Sequence, residues 1–171
     1  MTGVRGGSPP GGPGAMVAAL LLLASACAGV GGVRPRYGAL PQAAQTTIDG
    51  GPTAITQLID NTVRGAGLQV TAAAAREGYV ETAWFEIGSR RPVSLPFTNM
   101  DRVVKLRFFV DPSQGRTRIV AECVYRIAWD PSVPARELER MVPDDHPGRL
   151  LLDSIVAIIT PPPAARRPPL Q

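Results

Sequence analysis

Residues 116–129 read RTRIVAECVYRIAW, and this stretch limits the fold more than any other part of the chain. Successive side chains of a strand point to opposite faces, so Thr117, Ile119, Ala121, Cys123, Tyr125, Ile127 and Trp129 share one side, while Arg116, Arg118, Glu122 and Arg126 share the other. The preceding run, RVVKLRFFV at 102–110, has an apolar face of Val104, Leu106, Phe108 and Val110, with Val103, Lys105, Arg107 and Phe109 opposite. The DPSQG between them is a hairpin turn, which makes the pair antiparallel. A sheet with one strongly apolar face must be covered on that face by another layer.

Two amphipathic segments can supply the layer. Pro52 suits a first helical position, Ile55, Leu58, Ile59, Thr62 and Val63 share a face, and Gly65 stops the helix. Near the other end, Asp145 or His146 caps a helix opened by Pro147, with Leu151, Ile155 and Ile158 beside Leu152, Val156 and Ile159. Between the helices, LQVTAAAA predicts a short strand, Arg76-Glu77-Gly78 a turn, and YVETAWFEI (79–87) a second strand. GSRRPVSLPFTN is a loop, and residues 135–141 suggest a short helix after DPSVP. The expectation is an α+β domain over 52–160, ordered αββββα. A four-stranded antiparallel sheet carries both helices on one face and leaves the other more open.

That open face is the candidate protein-contact surface. It gathers Val103, Phe109, Val120 and Val124 among Arg107, Arg118, Glu122 and Arg126, an apolar patch rimmed by charge. Other chemistry finds little footing. One histidine and two cysteines offer no zinc ligand set, and no phosphate-cradling glycine loop is present, so neither a metal nor a cofactor is expected. His146 beside Asp144 and Asp145 reads as a helix start, where acidic groups complement the dipole. Glu81 and Glu86 fall on opposite sides of a regular strand and make no glycosidase pair. The chain is not expected to be an enzyme.

The pI of about 9.7 invites a nucleic-acid reading. Yet Arg5, Arg34, Arg36, Arg166 and Arg167 lie near the ends, and residues 37–160 hold 13 basic against 14 acidic groups. No basic folded face able to displace many counterions is expected, and nucleic acid is not an expected partner.

MVAALLLLASA (16–26) has the length of a signal-peptide core, and it ends at Cys27. Three outcomes fit. Ala24-Ser25-Ala26 permits cleavage and release; Ala15–Val33 is an uncharged run long enough to span a bilayer, though rich in Gly and Ala; and Leu23-Ala24-Ser25-Ala26-Cys27 resembles a bacterial lipobox. The lipobox resemblance implies a signal peptide over 1–26, diacylated Cys27 and a lipid-held protein, since two acyl chains anchor far better than one. Residues 27–51 then read as a flexible tether and 161–171 as a Pro/Arg-rich disordered tail. Cys123, the second cysteine, is expected on the core face.

Gly78-Tyr79-Val80-Glu81-Thr82-Ala83-Trp84-Phe85-Glu86 resembles a segment of BamC-type lipoproteins, which serve outer-membrane β-barrel assembly. The charged strand Asp101–Arg107 and the hairpin into Thr117-Arg118-Ile119-Val120 extend the resemblance over about residues 53–128. It implies a helix-grip domain with a non-catalytic accessory role, facing the periplasm from the outer membrane, with Trp84 as a packing anchor. Such proteins usually carry two such domains and a long N-terminal segment; this chain has room for one domain. The reading is a lipid-anchored envelope protein that contacts the membrane through its lipid and an envelope protein through its sheet. The alternative is a secreted or periplasmic domain that holds a small apolar ligand or lipid between sheet and helix.

Overall fold

The computed structural model describes residues 32–97, 99 and 101–160. The segment 1–26, Cys27 and the tail 161–171 lie outside the described residues. The elements run β1 (Ala44–Ile48), α1 (Pro52–Gly65), β2 (Val70–Ala74), β3 (Tyr79–Thr82), β4 (Phe85–Glu86), β5 (Val103–Ser113), β6 (Arg116–Arg126), a 3-10 turn (Ala135–Leu138), β7 (Glu139–Met141) and α2 (Pro147–Ile159). The class is α+β, as the sequence predicts, but the antiparallel sheet has seven strands rather than four. Its path is β1-β6-β5-β3-β2, with β4 on β5 and β7 on β6.

The extra strands have separate origins. β1 comes from the segment read as tether, and pairs Ala44–Ile48 with Ala121–Thr117 of β6. AQTTI is too short and too weakly apolar to announce itself, and its partner supplies what its own composition lacks. β7 replaces the end of the expected helix at 135–141, where a single 3-10 turn gives way to pairing of Glu139–Met141 with Arg126–Val124. β4 arises because the expected strand 79–87 breaks at Ala83–Trp84. There the Thr82 hydroxyl accepts the Leu106 N–H at 3.0 Å, and Ala83 N–H goes instead to Gln69 O at 2.8 Å. The irregularity reverses the alternation, so Phe85 faces the helices and Trp84 faces away from them.

The β5–β6 hairpin is tighter than DPSQG suggests. Gln114 and Gly115 both have positive φ (48° and 79°), the two-residue turn whose twist suits adjoining strands. Pro112 can lie within β5 because β3 pairs only with residues 107–109, so no ladder bond needs its missing N–H. At the β2–β3 turn Gly78 has φ 66°, and a side-chain carbon there would meet the Val110 carbonyl oxygen.

Both helices lie on the face formed by Val104, Leu106, Phe108, Val110, Ile119, Ala121 and Cys123. Ile55, Ile59 and Val63 of α1 and Leu152, Ile155 and Ile159 of α2 fill the layer between. Each of these large side chains is worth about 1.5–3 kcal/mol when fully buried, so this layer carries the fold. His146 is the α2 cap: its Nδ1 accepts the Gly148 N–H at 3.1 Å, leaving Nε2–H to donate to Asp101 O at 2.8 Å.

Candidate functional site

The face of the sheet away from the helices is covered, not open. Residues 32–43 run across it as a strap, and residues 93–97 close over its other end. Ala39 and Ala43 pack against Tyr79, Phe109 and Val120, while Leu40, Val93 and Phe97 pack with Trp84, Val103 and Val124. Seven of the eight residues expected to form a contact surface are therefore buried: Val103, Arg107, Phe109, Val120, Glu122, Val124 and Arg126. Arg118 alone is exposed, and its guanidinium lies 3.5 Å from Asp111. The correction has a simple cause. The Gly/Pro/Gln-rich composition of 28–51 hides the few residues that dock: Tyr37, Ala39, Leu40 and Ala43.

Beneath the strap lies a layer of buried charge centred on Arg107. Its Nε donates to Glu81 Oε2 at 2.6 Å, and its Nη1 and Nη2 donate to Glu139 at 2.6 and 2.9 Å. Nη1 also reaches Glu122 Oε1 at 3.1 Å. Arg136 donates to the same Glu122 at 2.6 and 2.9 Å and to Glu139 at 3.1 Å. Lys105 holds the other oxygen of Glu81 at 2.7 Å, and the Tyr79 hydroxyl donates to Glu81 at 2.6 Å. Three carboxylates thus meet three cations, and each carboxylate is held by two of them. Burial alone would push Glu81 up, but Lys105 and Arg107 outweigh it and hold its carboxyl at about 2. Glu139 is likewise low despite burial, through Arg107 first and Arg136 second.

The layer also fastens the strap. Glu122 Oε2 accepts the Leu40 N–H at 2.9 Å, and Arg136 Nη2 donates to Gly38 O at 2.9 Å. The Tyr37 ring sits over Arg136 and Arg107, 4.7 and 5.6 Å from their guanidinium carbons. Arg34 pins the strap's beginning by donating to Glu77 O at 2.9 Å and Asp111 Oδ1 at 2.8 Å.

Arg126 stands apart from this network. It is 7% exposed, and its Nε has no hydrogen-bond partner. Among the described residues no carboxylate pairs with its guanidinium, which lies 5.2 Å from the Trp84 ring centre and 5.4 Å from that of Trp129. It lines an open cleft of about 580 Å³ between Leu95 on one side and the loop 129–135 on the other. Leu95 and Trp129 are exposed there, at 38% and 43%. Trp129 was expected on the core face, but β6 ends at Arg126 and releases it to the surface.

Of the residues that sequence reasoning missed, Glu81 could have been found. The two-residue turn sets Arg107 opposite Glu122, and β3 sets Glu81 opposite Arg107. Three charges of alternating sign on one row of a sheet signal a cross-strand network. Glu139 and Arg136 gave no such signal, because their strand and turn were read as helix. Cys123 is buried as expected, and burial pushes its thiol up. Among the described residues no group of three metal-binding side chains is found, and no helix is long and apolar enough to cross a membrane.

The chain matches no family model, and a comparison with curated proteins gives no match.

Proposed function

We propose that this chain is a lipid-anchored domain of the cell envelope, held at the outer membrane by Cys27 and acting by protein contact rather than by catalysis. The observation that carries this reading is the placement of two ends of one ladder. The strap begins beside Glu77 and Asp111, and Asp111 is opposite Arg118 on β6. The Arg126 cleft lies eight residues further along the same strand, roughly 26 Å away at about 3.3 Å per residue. Cys27 precedes Gly32 by five residues, a reach of at most about 18 Å. An acyl anchor at Cys27 would hold the Glu77 end near the bilayer and present the cleft, with exposed Leu95 and Trp129, and the exposed Ile127 next to Arg126 in the chain, away from it.

The buried charge layer supports a contact role as well. Its carboxylates are each engaged by two cations, which is an arrangement for rigidity rather than for proton transfer. The helix-grip arrangement and the resemblance of residues 53–128 to BamC-type lipoproteins make outer-membrane protein assembly the process to test first. The test begins with the intact mass of the membrane-extracted protein beside a Cys27→Ala variant. A chain starting at Cys27 with added acyl mass, lost in the variant, is expected; an unmodified soluble chain would sink the anchor. Photo-crosslinkers placed at Ile127 and at Arg76 then compare the two ends in intact cells. An assembly component captured from Ile127 and not from Arg76 is expected, and capture from Arg76 alone would reverse the assigned contact end.

A further inference from the structure

We infer that the Arg126 cleft is a binding site for a carboxylate carried on an apolar or aromatic body. The inference rests on the reading of this cleft as the contact end and names the chemistry it recognises.

Charge balance is the first argument. Glu81, Glu122 and Glu139 are matched by Lys105, Arg107 and Arg136 within the buried layer, so Arg126 is a surplus cation. Its Nε is shut off from solvent, so a ligand in the cleft meets the Nη groups, and a guanidinium this deeply buried with no carboxylate beside it is costly unless an anion offsets its charge. The second argument is geometry. Trp84 and Trp129 both lie within cation–π distance of the guanidinium and help to hold it at the cleft wall. A guanidinium fork at a cleft wall suits a planar carboxylate.

The walls select what carries that carboxylate. Leu95, Trp129, Val133 and Pro134 are apolar. Asp130 also lines the cleft, but its Oδ1 accepts from the Ser132 backbone N–H at 2.9 Å and from the Ser132 hydroxyl at 2.6 Å, which turns it into its own loop. With one cation and one nearby acid, the lining can offset no more than a single negative charge. A phosphate, with more charge and more acceptors, would need further donors that the lining does not supply. A peptide's terminal carboxylate and a free aromatic acid share this chemistry.

The full chain, purified in detergent, is titrated with 2-naphthoate, 2-naphthamide, a peptide acid ending Leu-Phe, its C-terminal amide and inorganic phosphate. The readouts are the Arg126 Nε–H and Trp129 indole N–H resonances. Saturable shifts of both are expected with at least one acid, with the matching amide at least about tenfold weaker. Saturation by the peptide acid alone identifies a chain terminus as the source, and saturation by naphthoate alone identifies a free acid. Arg126→Gln should abolish the preference for acid over amide. Trp129→Ala, at an exposed position, should weaken the acid while leaving the fold intact, and it serves if Arg126→Gln does not fold. Equal binding of acid and amide, saturation by phosphate alone, or no saturation by either acid overturns the inference. Each of these results is independent of whether a partner is captured from Ile127, so the contact reading stands or falls separately.

Discussion

Arg107 and Glu139 meet fork to fork, Nη1 to Oε2 at 2.6 Å and Nη2 to Oε1 at 2.9 Å, with both side chains almost wholly buried. Removing one partner leaves the others charged and unmatched. Arg107→Ala is expected to destabilise the domain by about 3–5 kcal/mol, read as a fall in the urea midpoint with the slope unchanged. A loss below about 1 kcal/mol, the size of an exposed pair, would mean that water replaces the guanidinium at little cost.

The acid dependence follows from Glu81. Its carboxyl sits at about 2 in the fold against an ordinary 4.5, because Lys105 and Arg107 overcome the effect of burial. A depressed carboxylate stabilises the fold fully above its unfolded value, and that contribution is lost as pH falls from 4.5 through about 2. Stability should therefore decline across this window, and Glu81→Gln should flatten the decline. Urea midpoints measured at several pH values check it; parallel curves for the two proteins would refute the assignment.

Leu40 tests whether the strap belongs to the fold. Its N–H donates to the fully buried Glu122 carboxylate at 2.9 Å, so its hydrogen exchange should be slowed far beyond that of an open segment. Glu122→Gln should accelerate exchange at Leu40 more than at Leu106, whose N–H is held by Thr82. Fast exchange at Leu40 in the unaltered protein would show that the strap opens on its own.

Gly78 cannot be exchanged cheaply. Its φ of 66° disfavours side chains, and an added carbon would strike the Val110 carbonyl that the β3–β5 pairing brings close. Gly78→Ala should cost more than about 2 kcal/mol, from backbone strain together with the clash. Gly115→Ala, also at positive φ but with nothing near, should cost only the strain. Equal losses at the two positions would remove the steric part of this argument.

The helix-covered half of the fold was legible because its signals are local. Pro52 and the Ile55-Ile59-Val63 stripe fix α1 without knowledge of the sheet, and the alternation of 116–125 fixes which side of β6 is core. What escaped depends on partners distant in sequence. AQTTI becomes a strand only beside β6, and Tyr37 and Leu40 find their places only over the Arg107 layer. Trp84 was expected to be a packing residue, and it is buried, but the break after Thr82 decides its face and so makes it one wall of the Arg126 environment. The row Glu81-Arg107-Glu122 could be computed from the turn, whereas Arg126's isolation could be seen only once the other buried charges had been paired.

The strap also sets an order of assembly. Leu40 is fastened by Glu122, and β1 pairs with β6, so the segment nearest the start of the domain waits for a partner some eighty residues downstream. During synthesis the first part of the domain to emerge cannot be fixed until β6 exists, and such distant closures are slow. Until then Tyr79 and Phe109, made earlier, have no cover, and a nascent chain in that condition is a natural client for a holdase.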